Sequence, residues 1–167
     1  MKILITGGCG FIGSNLAIFL KSKIKNVKIT SIDNLSRKGS SLNYKKLSEK
    51  KIKNFKNDIA KSNKLIKLSK FDLIIHCAAE PAIETSRKKI EEVFNSNLIG
   101  TFNVLKKCAK DKSNIIYLSS SRVYAMKNLF KLKKNSSVRE DFNVENSKSI
   151  YGFTKLSSEL LIKEYSY

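Results

Sequence analysis

Residues 1–13, MKILITGGCGFIG, decide how the rest of the chain is read. Lys2 to Thr6 is a short apolar, β-branched run of the kind that fills a buried parallel strand, and the glycines begin where it stops. Gly8, Gly10 and Gly13 have the spacing G-x-G-x-x-G, and Gly7, Gly10 and Gly13 an overlapping G-x-x-G-x-x-G. In such a turn one glycine permits the tight bend, one lets the backbone meet a pyrophosphate, and one lets the following helix press on the strand. The pyrophosphate then lies on the free N–H groups of the helix start. The surroundings agree. An amphipathic helix is expected from Phe11 to about Lys21, a second strand over Val27 to Ile32, and Asp33 closes that strand. An acid at that place accepts hydrogen bonds from the ribose hydroxyls of adenosine.

Working outward, the segment NLSRKGS (34–40) is turn-like and is expected to pass the adenosine end of the cofactor. Asp33 repels a 2′-phosphate, whereas Arg37 and Lys38 could attract one but read in preference as a solvated loop, so NAD is favoured over NADP. A helix is expected over Ser41 to Lys50 and a third strand over Lys51 to Phe55. Asp58 and Ile59 follow, where a residue just past the strand can reach the adenine; Asp58 also suits the N-cap of a helix running to about Ser69. Phe71 to His76, FDLIIH, is the fourth and most hydrophobic strand, with His76 a packed strand-end residue. Ala78 and Ala79 come next, small residues where backbone must approach something closely. A long helical pattern runs from about Ile83 to Lys110, and Asn97 interrupts its inward face. A buried amide must be hydrogen-bonded, so Asn97 either braces a loop or supports the site. Asn114 to Leu118 makes a fifth strand with Ser119, Ser120 and Ser121 at its carboxyl end. Residues 125–149 lack periodicity and read as a substrate-side loop, and a last helix is expected from Ile150 to about Tyr165. Alternating strands and helices of these lengths predict an α/β fold, a Rossmann-type doubly wound parallel sheet of about five strands in one domain, residues 1–167.

Composition narrows the class. Net charge is +19, from 33 Lys and Arg against 14 Asp and Glu. The lysines are spread along the chain and most of them read as solvated helix faces, without a recognition motif, so no nucleic acid is assigned as partner. The same field suits an anionic dinucleotide or nucleotide sugar. Cys9, Cys77 and Cys108 have no C-x-x-C spacing, which suits a reducing cytoplasm. A single histidine argues against a metal centre. No run of about 18 apolar residues and no signal-like N-terminus is present, so a soluble, non-membrane protein is expected.

Tyr151 and Lys155 are four apart, on one helix face. A phenol with a pKa near 10 becomes a base at neutral pH only if phenolate is stabilised by roughly 4 kcal/mol. An adjacent ammonium and the positive nicotinamide ring can supply this in a partly desolvated site. The tyrosine then takes a proton from a sugar hydroxyl, the lysine holds the nicotinamide ribose, and a serine hydroxyl from the end of the fifth strand bonds the reacting oxygen.

With these pieces assembled, the sequence resembles the extended short-chain dehydrogenases/reductases, the NAD-dependent epimerases and dehydratases of nucleotide sugars. TGGCGFIGSNLA, DNLSRKGS, NDI, HCAAE, NLIGT, SSSRVY and YGFTK match the motifs of that family in order. The resemblance implies diphosphate binding at Gly7, Gly10, Phe11, Ile12 and Gly13, ribose binding at Asp33 and Asn34, and adenine contact at Asp58 and Ile59. It places Ala78, Ala79 and Asn97 along or behind the NAD pocket. The catalytic Ser or Thr lies three residues before the Val of a V-Y pair, here Val123-Tyr124, which selects Ser120; Tyr151 and Lys155 take the Y-x-x-x-K positions. In the 4,6-dehydratases of the family that residue is followed by Asp-Glu, whereas here Ser121-Arg122 follows, favouring an epimerase or simple oxidoreductase. DNLSRKGS, SRVY and YGFTKLSSELLI look most like the CDP-paratose 2-epimerases, also called CDP-tyvelose epimerases. The family runs to roughly twice this length, so the resemblance implies an NAD-binding half without its C-terminal substrate region, a nucleotide-sugar substrate, and a homodimer as the candidate assembly.

Overall fold

The structure, a computed structural model, describes residues 1–61, 63–81, 89–132 and 137–166. Its centre is one parallel sheet of β1 (Lys2–Thr6), β2 (Lys28–Asp33), β3 (Lys53–Lys56), β4 (Leu73–His76) and β5 (Asn114–Tyr117), in the order β3-β2-β1-β4-β5. Central strand β1 pairs with both neighbours: Ile3 stands opposite Ile29 on one side and Leu73 on the other. Its side chains alternate between two cores. Ile3 and Ile5 pack with Ala17, Leu47 and Ile75 beneath α1 (Phe11–Lys23) and α2 (Ser40–Glu49). Leu4 packs with Ile32, Leu65, Ile74 and Val104 on the opposite face. Burial on both faces is why the strand is apolar at consecutive rather than alternate positions. The strand order reverses between β1 and β4, so a crevice opens outside their carboxyl ends.

The expected helix after Asp58 breaks into a 3₁₀ turn at Ile59–Lys61 and a short α3 at Asn63–Ile66. Asp58 starts that turn, its Oδ1 accepting the Ala60 N–H at 2.9 Å. The expected long helix is α4 (Ile90–Phe94), a π-turn (Asn95–Ile99) and α5 (Gly100–Asp111) in succession; its expected start at Ile83 lies outside the described residues. In the π-turn the Gly100 N–H reaches the Asn95 carbonyl, five residues back, which inserts one extra residue into the helix. The polar stretch expected as loop contains a short α6 (Met126–Phe130), and the last helix is α7 (Ile150–Glu164).

One lysine outside the candidate site departs from the solvated helix faces read for most of this residue type. Lys107 is wholly buried, its Nζ donating to the carbonyls of Leu68 (2.8 Å) and Ser69 (3.2 Å) and to Asp111 Oδ1 (2.7 Å). Asp111 Oδ2 accepts the Phe71 N–H at 3.0 Å, so the pair bolts α5 to the chain entering β4. Every one of these partners is polar and internal, which offsets the cost of burying the charges.

Candidate functional site

The turn after β1 is shaped by three close approaches. Gly7 has φ +64°, and a Cβ there would lie 2.7 Å from the backbone of Ala78. The expected close approach at Ala78 is therefore to this glycine. A Cβ on Gly13 would lie 2.3 Å from the Gly7 carbonyl, so Gly13 lets α1 press onto the turn. A Cβ on Gly8 would lie 2.1 Å from Ser31 Oγ, bringing the turn down onto β2. Gly10 differs: a Cβ would meet only the Gly7 carbonyl, at 3.2 Å, leaving its other side open to the crevice.

Helix α1 begins here without a side-chain cap and without an acidic residue in its first turn. Its first internal hydrogen bond runs from Ser14 N–H to the Gly10 carbonyl at 3.0 Å. Phe11 and Ile12, expected at the diphosphate, are 83% and 55% exposed and do not line the crevice. A glycine cradle and uncapped N–H groups together fit the pyrophosphate of a dinucleotide.

Next to the turn, Asp33 is fixed by both carboxylate oxygens, Oδ2 accepting the Cys9 N–H at 3.0 Å and Oδ1 the Leu35 N–H at 2.8 Å. Each oxygen keeps a further lone pair for a ribose hydroxyl. The crevice, with about 600 Å³ of empty space, is lined by Gly7, Gly10, Asp33, Asn34, Asp58, Ile59, Ala78 and Ala79, eight of the residues expected for the cofactor. Sequence reasoning missed Ser36, Asn57, Cys77, Glu80 and Ser96 on the same walls. Their signal was position alone, each lying just beyond the carboxyl end of a strand or on the π-turn. Arg37 is exposed, as expected of the loop, and its Nη1 donates to Glu80 Oε1 at 2.7 Å, tying the loop after β2 to the loop after β4. Cys77 has its thiol pushed up by burial to about 11, which keeps it protonated beside the crevice.

Asn97 is 1% exposed and lies behind this wall. Its Oδ1 accepts the Glu80 N–H at 2.7 Å, and its Nδ2 donates to the Glu80 carbonyl (3.3 Å) and to Thr154 Oγ1 (3.1 Å). It braces the loop after β4 and touches α7, so both readings of the buried amide hold at once. His76, fully buried, bonds Thr6 Oγ1 through Nδ1 and Thr101 Oγ1 through Nε2. Thr101 gives its own hydrogen to the Asn97 carbonyl, so it accepts from Nε2–H, and Nδ1 accepts from Thr6. Burial, reinforced by the Lys155 charge, lowers the imidazole pKa to about 3. His76 is a neutral strut joining β1, β4 and α5.

Ser120, Tyr151 and Lys155 lie on the β5 side. Ser120 starts a 3₁₀ turn at Ser121–Val123, its Oγ accepting the Arg122 N–H at 3.2 Å. Helix α7 is capped by Ser149, whose Oγ accepts the Gly152 N–H at 3.0 Å. Gly152, which sequence reasoning passed over, brings the two together: a Cβ there would lie 2.2 Å from the Arg122 carbonyl. Tyr151 is 9% exposed and Lys155 2%. Lys155 Nζ donates to the Leu118 carbonyl at 2.5 Å and stands 4.1 Å from the centre of the Tyr117 ring. Burial lowers its pKa to about 8, against smaller opposing effects of Glu159 and Cys77. The ammonium is thus charged at neutral pH but close to its titration. Among the described residues no cluster of three His, Cys, Asp or Glu side chains could hold a metal, and no helix is long and apolar enough to cross a membrane.

Comparisons with known proteins agree with this architecture. The model of the NAD dependent epimerase/dehydratase family matches residues 3–167. The chain is 41% identical over 132 residues to a CDP-paratose 2-epimerase of Salmonella typhi, covering 74% of this chain and 38% of that one. It is 34% identical over 173 residues to a dTDP-D-glucose 4,6-dehydratase of Dictyostelium discoideum, covering 98% and 40%. The UDP-glucuronic acid 4-epimerase of Bacillus cereus, solved in complex with UDP-glucuronic acid and NAD, superposes with a TM-score of 0.81 at 30% identity, over 99% of this chain and 52% of that one. The chain thus spans about half, or less, of the length of these relatives. With its glycine turn, its strand order and a match over nearly its whole length, the chain belongs to the NAD-dependent epimerase/dehydratase family.

Proposed function

We propose that this chain is the cofactor-binding half of an NAD-dependent nucleotide-sugar epimerase, with Ser120, Tyr151 and Lys155 handling the proton and the reacting oxygen. The observation that carries the reading is Lys155. An ammonium is buried beneath the carboxyl end of β5, one helical turn from Tyr151, on a helix seated against the Ser120 turn through Gly152. A buried lysine with its pKa lowered, beneath the carboxyl end of a strand, is a candidate for a functional role.

NAD, when bound, takes a hydride from a ring carbon of the sugar and returns it to the opposite face. Gly7, Gly10 and the start of α1 hold its diphosphate, Asp33 and Asn34 its adenosine ribose, and Asp58 and Ile59 border its adenine. Tyr151 takes the proton of the sugar hydroxyl and gives it back. Lys155 favours the phenolate during that transfer and bonds the nicotinamide ribose. Because Ser120 Oγ already accepts the Arg122 N–H, its own hydrogen is left to donate to the reacting oxygen. Ser121 and Arg122, which follow it, offer neither the acid nor the base that elimination of water needs, which supports epimerisation over dehydration. A nucleotide sugar is anionic, and a chain of net charge +19 draws it in.

Thermal unfolding with and without NAD tests the first half of this reading. At a hundred times its dissociation constant NAD adds about 2.7 kcal/mol, an increase of roughly 5 to 10 °C in midpoint. A cooperative transition indifferent to NAD refutes the cofactor site. Tyr151→Phe tests the second half: it is expected to keep the NAD shift while nucleotide-sugar turnover by the protein containing this half falls at least about a hundredfold. Undiminished turnover refutes Tyr151 as the base.

A further inference from the structure

We propose that Glu80 is a cofactor-specificity residue: by holding Arg37 across the crevice mouth, it withholds the cation that a 2′-phosphate on the adenosine ribose would need. The inference rests on the dinucleotide reading above. Arg37 lies four residues beyond Asp33 on the loop after β2, and an arginine in that neighbourhood is the group that accommodates the 2′-phosphate of NADP. Here its guanidinium is engaged by Glu80 at 2.7 Å, and both residues line the crevice together with Asp33.

The ion pair has one fixed and one movable partner. Arg37 has a side chain 53% exposed, whereas that of Glu80 is 15% exposed. The backbone of Glu80 is clamped on both sides by Asn97, through its N–H at 2.7 Å and its carbonyl at 3.3 Å. The carboxylate therefore stays at the wall and draws the arginine to it. A 2′-phosphate entering here would compete with Glu80 for the same donors and would lie near two carboxylates, those of Asp33 and Glu80. A ribose hydroxyl meets no such conflict. Discrimination against NADP is thus shared between Asp33, which faces the ribose directly, and Glu80, which acts through Arg37.

The test is the ratio of dissociation constants, NADP over NAD, measured by titration calorimetry on the unsubstituted chain, Glu80→Gln, Arg37→Gln and the double variant. Glu80→Gln is expected to lower the ratio about tenfold, the worth of one charge-assisted hydrogen bond regained. In the Arg37→Gln background the same substitution is expected to change it less than about twofold. Glu80→Asp, which keeps the charge and draws it back by one methylene, is expected to give a smaller fall and stands in should Glu80→Gln not fold. An unchanged ratio in both Glu80 variants overturns the proposal, as does a fall that persists without Arg37. Binding of neither cofactor by the unsubstituted chain refutes the dinucleotide reading itself, and this proposal with it.

Discussion

Replacing Lys155 with methionine measures what it costs to keep an ammonium buried beneath the carboxyl end of β5. The side chain is 2% exposed, and burial lowers its pKa from 10.5 to about 8. Below pH 8 the lysine is protonated in the folded and the unfolded chain alike, so folding carries the full cost of desolvating the charge. Between about 8 and 10.5 the unfolded chain binds a proton that the folded chain has released, so stability rises with pH; above 10.5 the rise is complete. The difference between 10.5 and about 8 corresponds to about 3 kcal/mol in all. About 1 kcal/mol of that is gained by pH 9. Methionine keeps the length of the stem and cannot titrate. Urea unfolding of both chains at pH 7 and pH 9 therefore isolates the lysine, because titrations common to the two cancel. The unsubstituted chain is expected to gain about 1 kcal/mol on Lys155→Met over that interval. An identical pH response of the two chains would show that the ammonium is not desolvated in the fold. A gain by the variant would reverse the sign of the argument.

Two further substitutions probe the scaffold. Gly152→Ala places a Cβ 2.2 Å from the Arg122 carbonyl, so α7 must back away from the Ser120 turn; a stability loss of about 1–3 kcal/mol by urea unfolding is expected, and a neutral result would mean that the two elements are not in contact. Asp111→Ala leaves the buried Lys107 ammonium with carbonyl partners only, at an expected cost of about 3–5 kcal/mol, whereas Lys107→Met with Asp111→Leu is expected to recover at least half of it; a single-substitution loss below about 1 kcal/mol would sink this account of the pair.

Much of the fold was legible because its central strand is built from local signals. β1 was placed without error by an apolar run that ends in glycines, and the strand order follows once a glycine turn and Asp33 mark a dinucleotide fold. Eight of the residues expected for the cofactor line one crevice for the same reason, since each sits at or shortly beyond the carboxyl end of a strand. What escaped the sequence depends on partners remote in the chain. Lys107 looks like any other lysine until Asp111 and the carbonyls of Leu68 and Ser69 surround it, although its i, i+4 acid and its apolar neighbours Val104, Leu105 and Cys108 were a signal. The pairing of Arg37 with Glu80 was not legible because the two are 43 residues apart. Gly152 read as one more helical residue, since only the turn at Arg122 shows why a side chain is forbidden there.

The π-turn at Asn95–Ile99 makes this stretch intolerant of changes in length. Every residue of an α-helix advances the direction of its side chain by about 100°, so one extra residue re-aims whatever precedes it relative to whatever follows. Across this stretch Val93, upstream, and Val104, downstream, are both wholly buried, and Asn97 between them is turned onto the backbone of Glu80. Deleting any one residue of the five would give a more regular helix by every local measure. It would also rotate Asn97 off the cofactor wall, or Val93 out of its packing, so that a chain with better helical geometry would have a worse crevice. Along these five positions a shift of frame is expected to be far more damaging than a change of residue.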